Sequence, residues 1–205
     1  MLNCLKALYH IILNYRFFTI QILLDEIYFN FKYDKNLNQF KYLKSNFLSD
    51  SIPCPYFFLK KIKSFVEKKD IRFICDLGSG YGKVLYFFGE INKYKIDGVE
   101  LDKDIYNSSK LLKNKNINIF NHNILDFNFN SKEYDLFILN DPLKQLGDLN
   151  ILIKKIKSTR KNHYLVFINL TPDKTNLVNS SLEIIESFII SQNKNIYFTR
   201  IINNN

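Results

Sequence analysis

The stretch that most restricts the fold is Ile71–Glu100, IRFICDLGSGYGKVLYFFGEINKYKIDGVE. A short apolar run, Phe73, Ile74 and Cys75, ends in Asp76 and breaks at once into Gly78, Gly80 and Gly82. A helix-like segment from Val84 to Glu90 follows, then a second apolar run that ends in Glu100. Alternate glycines let the backbone turn tightly after a strand and leave bare main chain for a ligand to lie against. An acidic residue about 20 positions later, at the tip of the next strand, is placed to accept hydrogen bonds from ribose hydroxyls. Together these residues predict a nucleoside-cofactor pocket at the carboxyl ends of parallel strands.

The spacing narrows the cofactor. A dinucleotide fingerprint starting at Gly78 requires glycine at position 83, where the chain has Lys83. The pattern Asp76-x-Gly78-x-Gly80-x-Gly82, followed by Gly98-Val99-Glu100, resembles motif I and the acidic second-strand motif of class I S-adenosylmethionine (SAM) methyltransferases. That resemblance implies SAM as cofactor. It implies a methionine site shaped by Asp76, Gly78, Ser79, Gly80, Tyr81 and Gly82, and a ribose held by Glu100 with Leu101 beside it. Tyr81 could shield the sulfonium by cation–π contact, although a tyrosine in an exposed loop also needs no such role.

With 205 residues, 46% of them hydrophobic, the chain can bury a substantial core and is not a disordered polymer. A net charge of +9 invites an acidic partner or nucleic acid. The same charge is expected from a chain rich throughout in Lys, Asn, Ile, Phe and Tyr, a bias that an AT-rich genome imposes without regard to binding. Cys4, Cys54 and Cys75 lack CxxC or Cys/His spacing, so neither a disulfide scaffold nor a zinc site is indicated. The apolar N-terminus is interrupted by Lys6, His10, Asn14, Arg16 and Gln21. No run there reaches the roughly 18 residues of a membrane span, and no small-residue cleavage site is visible. The expectation is a reduced, cytoplasmic protein.

Hydrophobic periodicity gives the order of elements. Leu5, Leu8 and Ile12, then Ile20, Leu23, Leu24 and Ile27, predict one or two amphipathic helices within residues 2–31. Residues 32–51 read as a loop, and Pro53 and Pro55 introduce a helix over 56–68. Strands are expected at 73–76, 96–100, 117–121, 135–139 and 163–170, with helices at 83–92, 105–113 and 143–157 between them. Two extended runs, 182–190 and 195–202, close the chain. This alternation implies an α/β doubly wound, mostly parallel sheet with an antiparallel final strand. The methyltransferase resemblance implies seven strands in the order 3-2-1-4-5-7-6. Residues 1–50 are expected to form a helical extension and residues 51–205 the SAM domain.

Two further segments bear on ligand binding. After the third strand the family commonly has an acidic residue that meets the adenine amino group; here Asn123 takes that place, with Ile124 next to it and Asp126 as the alternative. An amide oxygen can still accept from the adenine nitrogen. At the fourth-strand tip, Asn140-Asp141-Pro142-Leu143 is similar to the Asn/Asp-Pro-Pro-aromatic motif of amino-methylating enzymes, but lacks the second proline and the aromatic. The resemblance makes Asn140 and Asp141 the candidate acceptor-facing, catalytic pair, with Asn140 also near the cofactor. A turn and helix N-cap at Asp141-Pro142 would explain the same residues.

Within the superfamily, Asp76–Val84, Gly98–Glu100 and Asn140 look most like the non-SET histone-lysine methyltransferases and related small bacterial methyltransferases. Ser51–Tyr56 occupies the place of their SAM-contacting loop but lacks its Glu-Thr pair. Lysine specificity therefore does not transfer. Three functions follow: methylation of a nitrogen nucleophile on a protein or small molecule, methylation of RNA through lysine-rich faces, or a non-catalytic SAM-fold scaffold. The lysine clusters Lys60, Lys61, Lys63, Lys68, Lys69 and Lys154, Lys155, Lys157, Arg160, Lys161 read first as solvated helix faces. The isolated His10, His122 and His163 read as core or surface residues.

Overall fold

The apolar runs on either side of the glycine turn become neighbouring strands, β1 (Phe73–Leu77) and β2 (Lys95–Glu100), paired in parallel with Asp76 opposite Gly98. A computed structural model of the chain describes residues 13–33, 37–42, 49–112, 114–159 and 162–202. Five further strands complete the sheet: β3 (Ile117–Asn121), β4 (Leu136–Asn140), β5 (His163–Ile168), β6 (Glu183–Ser191) and β7 (Lys194–Ile201). Their order is β3-β2-β1-β4-β5-β7-β6, and β7 runs antiparallel to both β5 and β6. The expected topology is therefore the observed one. The strand order reverses between β1 and β4, so the tips of those two strands open a crevice where their chains depart in opposite directions.

Side chains alternate between the two faces because the strand period is two. Ile74, Leu136, Ile138, Val166 and Ile168 join one core with the helices α1 (Thr19–Tyr33), α2 (Tyr56–Glu67) and α3 (Lys83–Gly89). A short helix, α4 (Lys103–Ser109), lies between β2 and β3, its start capped by Asp102, whose carboxylate accepts from the N–H groups of Asp104 and Ile105. Cys75, Leu77, Phe137, Leu139, Leu165 and Phe167 join the other core with α5 (Leu146–Lys157) and α6 (Pro172–Ser181).

Several boundaries differ from the sequence expectation. The first helix runs on to Tyr33, because Phe29 and Tyr33 pack around Tyr56 and hold the last turn against the protein. Helix α3 stops at Gly89 and α4 at Ser109, both short of the periodic pattern. Helix α5 starts at Leu146, not Leu143, and its N-cap is Gln145; Asp141-Pro142 caps no helix. Leu143 instead turns into the second core, 6% exposed. Helix α6 has no counterpart in the expected elements. It has weak periodicity and buries only Lys174 and Val178, though Thr171-Pro172 is an ordinary start signal. The readings for Cys4, Lys6, Leu5, Leu8, His10, Ile12, Arg160 and Lys161 fall outside the described residues. No helix among the described residues is long and apolar enough to cross a membrane.

Candidate functional site

The crevice between β1 and β4 is an open cleft enclosing about 880 Å³ of non-protein space. Its floor is the glycine turn. Gly78 has φ +82°, and a Cβ there would lie 2.5 Å from Cβ of Pro142, so glycine lets the β1 and β4 loops pass in contact. The N–H groups of Gly78 and Ser79 both donate to the Val99 carbonyl, at 2.9 and 3.0 Å, which ties the turn to β2. Gly82 does not line the cleft. At φ +85° it caps α3, and Leu112 fills the space a side chain would need.

Glu100 organises the rim. One carboxylate oxygen accepts from the Gly80 N–H at 2.9 Å and the other from the Asp102 N–H at 2.8 Å. Burial raises its pKa, an effect those donors oppose. Asp76 is the more unusual group. It is 2% exposed, and its Oδ2 has no hydrogen-bond partner. Burial, with the Glu100 charge nearby, pushes its carboxyl up to about 8. A buried carboxylate without a partner is costly, and an incoming cation would complete it.

The far wall is Asn123, Ile124, Val99, Leu101 and Ile105. The Asn123 oxygen accepts from the Leu125 N–H at 2.9 Å, closing a local turn, so part of its accepting capacity is already used. Tyr81 lines the cleft beside Ser79 and Gly80. At the β4 tip, Asn140 lines the cleft too, but both ends of its amide are held. It donates to the Ile52 carbonyl at 2.9 Å and accepts from Asn169 Nδ2 at 2.8 Å. Asp141 is absent from the lining. Its backbone is left-handed (φ +43°), and its carboxylate pairs with Lys174 at 2.5 Å, behind Asn140. The expected acceptor-facing pair is thus divided: one residue at the cleft, one turned into an ion pair.

The likeness of Ser51–Tyr56 to a SAM-contacting loop anticipated part of the roof, but the strap that completes it was missed. Leu37, Gln39 and residues 49–54 cover the cleft from the N-terminal side. A short antiparallel bridge between Lys41 and Ser51 shapes this strap, and Lys41 Nζ pins it to Asp102 at 2.8 Å. The Lys41–Asp102 contact joins residues 61 positions apart and leaves no periodic trace. Lys83 was also missed. It is 4% exposed, lines the cleft, and pairs with Glu26 of α1 at 2.8 Å while donating to Asn38 at 2.7 Å. Burial lowers its pKa, and the Glu26 charge pulls the other way. Lys83→Met is expected to destabilise the protein by about 1–3 kcal/mol, because it leaves the Glu26 carboxylate with the Tyr56 N–H but without its cation. A Glu26→Gln/Lys83→Met double variant should recover part of that loss in denaturant melts; full additivity would show that the pair is not coupled.

No family model matches the sequence, and no curated protein matches it. Solved structures do. An RNA methyltransferase from Salinibacter ruber, in complex with S-adenosyl-L-homocysteine, superposes with TM-score 0.59 at 13% identity, over 73% of this chain and 94% of its own. A SAM-dependent methyltransferase from Aquifex aeolicus gives 0.53 at 13%, over 70% and 89%. Magnesium protoporphyrin IX methyltransferase from Synechocystis PCC 6803, with bound SAM, gives 0.54 at 12%, over 70% and 77%. At these identities the likeness is one of fold: the chain has the class I methyltransferase architecture.

Proposed function

We propose that this chain is a SAM-dependent methyltransferase whose acceptor is a nitrogen nucleophile on a protein or a small molecule. The observation that carries the reading is Asp76: a buried carboxylate oxygen without a partner, in a cleft floored by glycine main chain and rimmed by Glu100. The methionine end of SAM carries an ammonium, which is the charge that Asp76 lacks. The donor set fits the group. Glu100 and Leu101 would sit at the ribose, Asn123 and Ile124 at the adenine, and Ser79, Gly80 and Tyr81 along the methionine chain.

When bound, SAM supplies an activated sulfonium methyl, and an amine attacks it without a strong base once it is neutral. The protein's task is to position and to dehydrate. Asn140, fixed between Ile52 and Asn169, lines the acceptor end of the cleft as a rigid amide. Asp141 acts through its pair with Lys174, which also donates to the Leu143 carbonyl and so holds the β4 loop. The roof of residues 49–54 keeps water from the strand tips, and residues 1–50 serve as an extension that supplies part of it.

The amine reading is preferred over RNA on one observation. The lysines of α2 and those of α5 belong to helices on opposite faces of the sheet and do not form one surface beside Asn140. Lys155 and Lys157 moreover donate to the Leu125 and Ser181 carbonyls. The narrower likeness to non-SET histone-lysine methyltransferases rests on Asp76–Val84, Gly98–Glu100 and Asn140 alone. Calorimetric titration of the reduced protein with SAM tests the proposal: saturable binding is expected, followed by transfer of labelled methyl to amine acceptors. A folded protein that binds no SAM would leave the scaffold reading in its place.

A further inference from the structure

Helix α1 is built inside out. A surface helix ordinarily buries its apolar stripe and turns its charges to water. Here the two acids face the protein: Asp25 is 2.8 Å from Lys60, and Glu26 accepts from Lys83 and from the Tyr56 N–H. The outward side carries Ile20, Leu24, Ile27, Tyr28 and Phe31, which are 72, 61, 54, 60 and 85% exposed. At 3.6 residues per turn these five fall within an arc of about 100° that contains no charged residue. Phe17, in the preceding 3-10 turn, is 96% exposed and extends the same ridge. Ile22 and Phe29 on the inner side already anchor the helix to the core, so the outer ridge is surplus to folding.

We propose that this ridge docks on an anionic lipid surface, with α1 lying in the plane of the bilayer interface. Its 15 residues span about 22 Å, shorter than a hydrocarbon core of about 30 Å, so the helix can lie on a bilayer but not cross it. Large aromatic and aliphatic side chains on an outer helical face, with basic residues at the margin, are what an interfacial helix requires. Lys32 stands at the margin of the ridge, and Lys61 is exposed on α2, the helix on which α1 packs. The two acids of α1 itself are turned inward and paired. Charge also selects among occupants. A second copy seated on the same ridge would bring together two molecules of net charge +9, whereas an anionic bilayer is their complement.

The test uses the full chain and vesicles of phosphatidylcholine, with and without phosphatidylserine. The sequence contains no tryptophan, so Phe31→Trp gives a single reporter on the ridge. The expected result is co-sedimentation with the phosphatidylserine vesicles that weakens as salt rises, together with a blue shift of the reporter's indole emission and its quenching by lipid-borne spin labels. Ile20→Ser/Leu24→Ser/Phe31→Ser should weaken sedimentation about tenfold or more while leaving the melting temperature nearly unchanged, since all three positions are exposed. Should the triple variant fail to fold, the spin-label quenching of Phe31→Trp decides alone. A folded protein that ignores phosphatidylserine vesicles overturns the proposal, as does vesicle binding that the triple substitution leaves intact. A dimer in light scattering that the triple variant dissolves, without vesicle binding, overturns it in favour of a second copy.

Discussion

An Asp76→Asn variant is expected to lose SAM binding by about 100-fold and, at the same time, to become more stable than the parent above pH 7. Both effects have one cause. The carboxyl titrates at about 8 in the folded protein, against 3.8 for an unperturbed aspartate, so the native state holds its proton more tightly than the unfolded chain. The stability linked to that proton is fully present below about pH 4, falls as pH rises, and is gone above about pH 8. The slope cannot exceed about 1.4 kcal/mol per pH unit, and relaxation around a buried group will make it shallower. Asparagine, neutral throughout, removes this slope. Melts from about pH 5 to about pH 8 should therefore show the parent losing roughly 2 kcal/mol relative to the variant. A SAM ammonium beside Asp76 would favour the ionised carboxylate. Binding near neutral pH should then release a proton, visible in calorimetry as a heat that depends on the buffer and disappears in the variant. Parallel pH profiles for the two proteins would remove Asp76 from this role.

Glu100→Ala is expected to reduce SAM affinity by about 100-fold to 10,000-fold, since two charge-assisted hydrogen bonds to ribose hydroxyls contribute about 1.5–3 kcal/mol each. Its effect on stability should be far smaller, about 1 kcal/mol in either direction. The substitution strands the N–H groups of Gly80 and Asp102, now 2.9 and 2.8 Å from the carboxylate. It also removes a largely desolvated charge that disfavours ionisation of Asp76. These two changes oppose one another, so binding and stability separate. Calorimetry and thermal melts on the same preparation would read both. Affinity within about threefold of the parent would place the ribose elsewhere.

The cleft's polar endpoints were legible in the sequence because they lie within one strand–turn–helix–strand unit. Asp76, the glycines and Glu100 fall within the single stretch from 76 to 100, and β1–β2 pairing in parallel register brings them together by local geometry alone. The alternation of strands and helices likewise implied a doubly wound, mostly parallel sheet with an antiparallel final strand, while the strand order came from the family resemblance. Helix α6 escaped because a mostly polar segment with adjacent Leu177 and Val178 gives no helical stripe to detect.

What only the tertiary structure decided are contacts between distant segments. The division of Asn140 from Asp141 depends on a left-handed backbone at Asp141, on Lys174 behind it and on Asn169 beside it. The roof over the cleft depends on Lys41 meeting Ser51 and Asp102, and on Glu26 reaching Lys83 across 57 positions. The outward apolar ridge of α1 is a decision of the same kind. The stripe of Ile20, Leu23, Leu24 and Ile27 predicts an amphipathic helix packed by that face, and which face turns inward was settled instead by Lys60, Lys83 and the Tyr56 N–H drawing Asp25 and Glu26 to the protein. Periodicity reports the spacing of residues along one element; partners for buried charge are chosen by the packing of several.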